Sequence, residues 1–213
     1  MTTYSLKEIY ATLQGEGAHT GRAAVFARFA GCNLWSGREE DRATAACWFC
    51  DTDFLGTNGP GGGKFADADA LAARLRAAWD GDADDSGAPY VVFTGGEPLL
   101  QLDDALIGAC HRAGLEVGVE TNGTIEAPAG VDWLCVSPKP GSRLVQRRGD
   151  ELKLVFPHEV RPETVQGLAF THFFLQPLAG PEGAAHTAAC VAYCRAHPRW
   201  RLSLQTHKLL GIP

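Results

Sequence analysis

Cys32, Cys47 and Cys50 form a C-x14-C-x2-C pattern, with Trp48 and Phe49 between the last two thiols. Three cysteines this close suit a thioredoxin-like pair, a zinc site completed by a histidine, or a set of buried apolar side chains. A redox pair at Cys47 and Cys50 leaves Cys32 without a task. A 4Fe-4S cluster held by only three thiolates leaves one iron open, which is what a protein needs if a small molecule must ligate that iron. Farther along, Ser137 and Lys139 flank Pro138; a hydroxyl and an ammonium there can hold an anion by charge-assisted hydrogen bonds, or the tripeptide is an exposed loop. Arg28 lies between Phe26 and Ala30 on one strand face, with Val25, Ala27 and Phe29 on the other. Burying its guanidinium costs on the order of several kcal/mol unless an anion pairs with it, so a structural acid or a substrate carboxylate is required. His207 reads either as an ordinary strand-end histidine or as a hydrogen-bond partner of a bound ring.

These residues need elements to hold them. Short runs rich in β-branched and aromatic residues predict seven strands, at 24–29, 90–93, 115–119, 133–136, 152–155, 173–176 and 201–204. Apolar residues recur at helical spacing over 67–79 (Leu71, Leu75, Ala78, Trp79) and 102–113 (Leu102, Leu106, Ile107, Cys110), and a third helix is expected over 184–197. Strands alternating with helices imply a parallel sheet with right-handed crossovers, but three long helices are too few to follow every strand. The expected α/β fold is therefore an incomplete, splayed β/α barrel. Reading each strand to its C-terminal end gives Cys32, then Thr94-Gly95-Gly96-Glu97-Pro98, Glu120-Thr121-Asn122-Gly123, Ser137-Pro138-Lys139, Gln176-Pro177 and Gln205-Thr206-His207-Lys208. Strand C-termini converge on one face of such a barrel, so a single pocket accounts for all six segments.

Composition narrows the function classes. The chain has 213 residues, of which 45% are apolar and 21% charged, which is ordinary globular usage and indicates one domain spanning 1–213. Its formal charge of −6 supplies no positive excess for phosphates or anionic lipid, so nucleic acid and membrane surfaces are not expected partners. The first residues lack a signal-peptide pattern and no apolar run approaches a membrane span, which points to the cytoplasm. Seven cysteines in a reducing compartment favour metal, cluster or thiol chemistry over disulfides. Of these, Cys110, Cys135, Cys190 and Cys194 sit in apolar patterns and read as core. Gly59-Pro60-Gly61-Gly62-Gly63 precedes Lys64 but is followed by Phe65, and Asn58 stands where a phosphate-binding loop needs glycine.

The cysteines with Phe49 before the last of them, together with Thr94-Gly95-Gly96-Glu97-Pro98, resemble the radical S-adenosylmethionine (SAM) superfamily, whose usual motif is C-x3-C-x2-C; the first spacing here is longer by eleven residues. Within it the chain is similar to the 7-carboxy-7-deazaguanine synthase family over nearly its whole length. That similarity rests on Leu13-Gln14-Gly15-Glu16-Gly17, Arg28, Cys50-Asp51-Thr52-Asp53 and the strand-end segments above. The resemblance implies a 4Fe-4S cluster on Cys32, Cys47 and Cys50, and SAM bound by Phe49, Gly95, Gly96, Glu97, Thr121, Asn122, Ser137, Pro138, Lys139, Gln176 and Pro177. It implies Mg²⁺ at Thr52 and a pterin substrate, 6-carboxy-5,6,7,8-tetrahydropterin, held by Leu13, Gln14, Gly15, Glu16, Arg28, Thr94, His207 and Pro213. The products would be 7-carboxy-7-deazaguanine, a precursor in queuosine biosynthesis, and ammonia. A one-electron donor such as flavodoxin and a homodimeric assembly accompany that expectation. The terminal stretch Lys208 to Pro213 is apolar enough to fold across the pocket mouth, with Gly211 permitting a turn and the Pro213 carboxylate competing with Glu16 for the pterin N–H pair. Two other functions share parts of the pattern. A glycyl-radical activating enzyme needs a wide cleft for a protein loop, and a non-catalytic zinc or thiol-redox protein has no use for the SAM-like segments.

Overall fold

In the computed structural model, residues 3–81 and 87–213 are described; Met1 and Thr2, which begin the segment read for a leader, lie outside them, as does 82–86. The strands are β1 (Tyr4–Leu13), β2 (Ala23–Phe29), β3 (Gly63–Phe65), β4 (Tyr90–Gly95), β5 (Glu116–Thr121), β6 (Trp133–Val136), β7 (Arg148–Phe156), β8 (Ala169–Pro177) and β9 (Trp200–Leu202). They form one sheet in the order β3-β1-β2-β4-β5-β6-β7-β8-β9. From β2 to β9 every pairing is parallel, while β1 runs antiparallel to both β2 and β3. The sheet is not closed: β3 and β9 are its edges. This is the incomplete α/β barrel expected, with two strands more than the sequence suggested.

Helices α1 (Ala68–Ala78), α2 (Asp104–Arg112) and α4 (Gly183–Ala196) are the long crossovers, with the short α3 (Pro162–Val165) and α5 (Thr206–Leu210) between and after the last strands. The first two start where their caps demand. Asp67 accepts from the Ala70 N–H at 2.8 Å and Asp103 from the Leu106 N–H at 3.0 Å, satisfying donors that the first helical turn leaves over. Tyr4 on β1 also donates its hydroxyl to Asp103 at 2.7 Å, tying the first strand to the start of α2.

The period-2 alternation of the strands sorts their side chains into two environments. Val25, Ala27 and Phe29, Val91 and Phe93, Val117 and Val119, Leu152 and Leu154, and Phe173 and Leu175 face the helices and build the apolar core with Leu71, Leu75, Leu106, Ile107 and Cys190. The alternate residues Arg28, Thr94, Glu120, Cys135, Ser137, Lys153 and Gln176 line the concave face. Cys135 therefore belongs to the barrel interior and not to the core in which Cys110 and Cys190 are packed. Its neighbours in sequence, Leu134 and Val136, are the residues that point at the helices.

Candidate active site

A cavity of about 460 Å³ opens at the C-terminal ends of the parallel strands. Cys32, Cys47 and Cys50 all line it, with Phe49 between the last two. All are free thiols. The Cys50 thiol is pushed down to about 6, chiefly because the Cys47 thiol donates to it and also because the Thr52 N–H does, and the same contact raises Cys47. Among the described residues no three His, Cys, Asp or Glu side chains converge closely enough for a single metal ion. Three thiols and Phe49 thus share one stretch of the cavity wall, and the Cys50 thiol is already disposed to ionise.

The segment 33–46, which lengthens the cysteine spacing, is built to hold this loop. Trp35 is buried edge-on against Phe54, with ring centroids 5.6 Å apart, and Arg42 lies over the Trp35 ring at 4.2 Å. From there Arg42 Nη1 donates to the carbonyls of Trp48 at 2.7 Å and Cys50 at 2.9 Å. The other side of the loop packs on His158, whose ring centroid lies 4.5 Å from that of Phe49.

Thr94, Gly95 and Gly96 line the cavity beside the thiols. A Cβ on Gly96 would stand 2.2 Å from the Gly31 carbonyl oxygen and 2.6 Å from the Cys32 Cβ, so only glycine lets this turn lie against the cysteine loop. Glu97 does not line the cavity and is wholly buried. Its carboxylate accepts from the Leu99 and Asn122 N–H groups and the Thr121 hydroxyl, at 3.0, 2.8 and 2.8 Å. Burial pushes its carboxyl up, against the pull of those donors. It ties the β4 loop to the β5 loop, and Thr121 and Asn122 do reach the cavity wall. Ser137 and Lys139 also line it, and Lys139 Nζ donates to the Ser137 hydroxyl at 2.6 Å. Pro138 and Pro177 do not line the cavity; they shape the turns that carry Ser137, Lys139 and Gln176.

A further stretch of the wall joins the loop after the first strand to the segment after the last. Leu13, Gln14, Gly15, Glu16, His207 and Pro213 line it. A Cβ on Gly15 would stand 2.1 Å from His207 Nδ1, so the imidazole lies directly on the Gly15 backbone. Glu16 is saturated on one oxygen: Oε1 accepts from Gln176 Nε2 at 3.0 Å and Gln205 Nε2 at 2.9 Å, while Oε2 pairs with Lys153. Despite burial, the Lys153 ammonium and these amides hold its carboxyl down at about 2. Gln176 is thus committed to Glu16, and its own oxygen accepts from the Ser203 hydroxyl at 3.1 Å.

Arg28 faces the cavity, and the acid it requires is present in the protein: Nε donates to Glu8 Oε1 at 2.7 Å and Nη2 to the Tyr10 hydroxyl at 3.2 Å. Nη1 makes no hydrogen bond among the described residues. Thr52 lines the same region, beside Asp51 and Asp53. Asp51 bonds Lys208 Nζ at 2.6 Å across the mouth, and Asp53 takes Lys7 at 2.7 Å. The chain after β9 folds over the rim as α5: the Thr12 hydroxyl donates to the Pro213 main-chain oxygen at 2.7 Å. Leu209 and Leu210 are exposed on the outside of that turn. The sequence did not single out Glu8, Tyr10, Lys153 or Arg42; each is ordinary in its own segment and acquires meaning only from its partners in the fold.

No family model matches the chain. It is 64% identical over 211 residues to the 7-carboxy-7-deazaguanine synthase of Bordetella pertussis, covering 99% of both chains. It is 54% identical to that of Burkholderia multivorans, covering 99% of this chain and 100% of the relative. Its structure superposes on a crystal structure of QueE from Escherichia coli with a TM-score of 0.68 at 26% identity, over 95% of this chain and 94% of that one. No helix among the described residues is long and apolar enough to cross a membrane.

Proposed function

Since the chain belongs to the 7-carboxy-7-deazaguanine synthase family, we propose that its cavity converts 6-carboxy-5,6,7,8-tetrahydropterin to 7-carboxy-7-deazaguanine with loss of ammonia, as a radical SAM lyase formed by residues 1–213. The observation that carries the reading is one cavity lined together by three thiols, the Thr94-Gly95-Gly96 turn, Arg28, Glu16 and His207. Cys32, Cys47 and Cys50 would hold a 4Fe-4S cluster, and Gly95, Gly96, Thr121, Asn122, Ser137 and Lys139, with Phe49, would surround SAM. Together that pair supplies an organic radical able to take a hydrogen atom from a carbon of the substrate.

The remaining work falls to the protein's own side chains. Glu8 offsets the cost of burying Arg28, so the free Nη1 is available to a substrate carboxylate without leaving the guanidinium uncompensated. The Thr52 hydroxyl lies in the same cavity and would supply one oxygen to Mg²⁺, an ion that keeps waters and takes other oxygens from its substrate. Glu16 is fixed as an anion and accepts from an N–H edge, while His207 over Gly15 and Pro213 over Thr12 close the rim and exclude water. The Lys208–Asp51 pair spans the mouth, which suits a small molecule and not the protein loop that a glycyl-radical activating enzyme must admit. A one-electron donor such as flavodoxin, a homodimer and a cytoplasmic location complete the proposal. Anaerobic reconstitution with iron and sulfide, followed by mass analysis with SAM and carboxytetrahydropterin, tests it. The expected result is a brown protein releasing a product lighter than the pterin by the mass of one ammonia. A colourless preparation, or unchanged pterin, overturns it.

A further inference from the structure

Lys153 stands on the concave face of β7 with its side chain 7% exposed, a place where a lone ammonium is costly. It is not alone. Nζ bonds Glu16 Oε2, from the loop after β1, and lies 3.7 Å from Glu120 Oε1 on β5. A second route joins the same two carboxylates: Gln14 Nε2 donates to Glu120 Oε1 at 3.0 Å, and Gln14 Oε1 accepts from the Glu16 N–H at 3.0 Å. The result is a closed ring of Glu16, Gln14, Glu120 and Lys153, drawn from the loop after β1 and from strands β5 and β7, and all lining the cavity. Glu16 Oε1 is filled by two amides, but Glu120 Oε2 accepts no hydrogen bond among the described residues.

We propose that Lys153 is a positioning residue that holds Glu16 and Glu120 together as two fixed, ionised acceptors for the N–H groups of the substrate. The proposal rests on the pterin reading above. A pterin presents adjacent N–H donors on its aminopyrimidinone edge, and a pocket that must accept from them cannot let its carboxylates take up protons. Two carboxylates facing one cavity repel each other, so without a cation between them one is driven to hold a proton at neutral pH. Lys153 prevents this while leaving Glu120 Oε2 without a protein donor among the described residues. The other titratable groups around the ring do not substitute for it. Glu151 of β7 and Cys135 of β6 add only negative or neutral character: Glu151 accepts from the Ala18 N–H and from the Cys135 thiol. Tyr10 of β1 and Tyr90 of β4 face Glu120 as neutral phenols, their hydroxyls pushed above the usual range by burial.

The test uses the reconstituted full-length protein with SAM under anaerobic conditions, and reads equilibrium binding of 6-carboxypterin through its fluorescence. This stable aromatic pterin keeps the aminopyrimidinone edge and the carboxylate. The wild type should bind it with an affinity that is flat from about pH 5.5 to 7.5. Lys153→Met should bind more weakly at every pH in that range, and its affinity should rise about tenfold per unit as the stranded carboxylate loses its proton. Cluster absorbance and SAM binding should be unchanged. Lys153→Arg, which keeps the charge, should retain a flat profile, and it decides the question if Lys153→Met fails to fold. Wild-type affinity in Lys153→Met, an equal loss at every pH, or a sloping profile in Lys153→Arg overturns the positioning role and leaves the pterin reading standing. A wild type that neither binds the probe nor turns over carboxytetrahydropterin removes the pterin reading itself and the inference with it.

Discussion

At the scale of single residues, the thiols divide by environment. Cys32, Cys47 and Cys50 reach the cavity wall, whereas Cys110 and Cys190 are sealed among apolar side chains, where burial pushes both thiols up to about 12. Thiolates, not thiols, bind iron, so the two groups should respond differently to substitution. Replacing Cys32, Cys47 or Cys50 by alanine should abolish the brown absorbance of anaerobically reconstituted protein. Cys190→Ala should keep it and lose about 1 kcal/mol of stability, the order expected for removing one small buried group. Loss of the colour in Cys190→Ala would show that a fourth thiol ligates the cluster and would end the open-iron model. Single residues were also the scale at which the sequence was hardest to read. The demand that Arg28 have an anion was legible from its apolar flanks, yet which anion was not. Glu8 is twenty positions away and meets Arg28 only because β1 turns back antiparallel against β2, pairing Glu8 directly with Arg28. Glu97 adds a role that its place in the Gly-Gly-Glu-Pro segment did not suggest: its side chain joins two loops.

At the scale of elements, the central strands and helices α1 and α2 were legible because each has one apolar face and one clear boundary. The strand at 133–136 and the capped helices are the plainest cases. β1 escaped notice because its pattern is interrupted: Lys7 and Glu8 follow Leu6, and a bulge between Leu6 and Glu8 shifts the alternation by one residue. β3 is three residues beside a glycine-rich loop and has no pattern to detect. The 33–46 segment carries no periodicity either, and its role emerges only through Arg42. Arg42→Ala should free the Trp48 and Cys50 carbonyls and remove the stacked guanidinium, costing about 1–3 kcal/mol locally through two charge-assisted bonds. The measurable consequence is lower iron content after reconstitution, with the global melting temperature little changed because the sheet is untouched. Full iron occupancy in that variant would reduce the segment to a surface decoration. α5 carries a second expectation at this scale. Deleting Ile212 and Pro213 removes the contact with Thr12, and the Michaelis constant for the pterin should rise several-fold while cluster absorbance and SAM binding persist. Unchanged pterin kinetics would assign rim closure to His207 and Lys208 alone.

At the scale of the whole molecule, the open edge of the sheet is what most needs explaining. β9 and β1 do not pair, and the gap between them is bridged by polar contacts: Thr206 N–H to the Gly15 carbonyl at 2.9 Å, Gly17 N–H to the Ser203 hydroxyl at 2.9 Å, and Gln205 to Glu16. Glu16 is the centre of that seam, since its carboxylate also takes Gln176 from β8 and Lys153 from β7. The seam therefore depends on the ionisation of one group. The Glu16 carboxyl is lowered from 4.5 to about 2 in the folded protein, so its contribution is complete above the unfolded value of 4.5 and is lost as pH falls from there towards 2. For a group this buried the linkage is on the order of a few kcal/mol. Glu97 and Glu151 act in the opposite sense, because burial raises their carboxyls and protonating them above pH 4.5 relieves that penalty. Thermal stability should accordingly hold or rise slightly on acidification to about pH 5 and fall below pH 4.5, with the seam opening first. Hydrogen exchange read by mass spectrometry should show residues 14–17 and 203–208 losing protection at pH 4 to 3 ahead of β4 to β7. Glu16→Gln keeps an acceptor for the two glutamines but discards the charge. It should be less stable than the wild type at pH 7 and should have a shallower acid limb, the two curves converging near pH 2. Parallel curves throughout that range would show that the seam is held by the backbone contacts and not by the carboxylate.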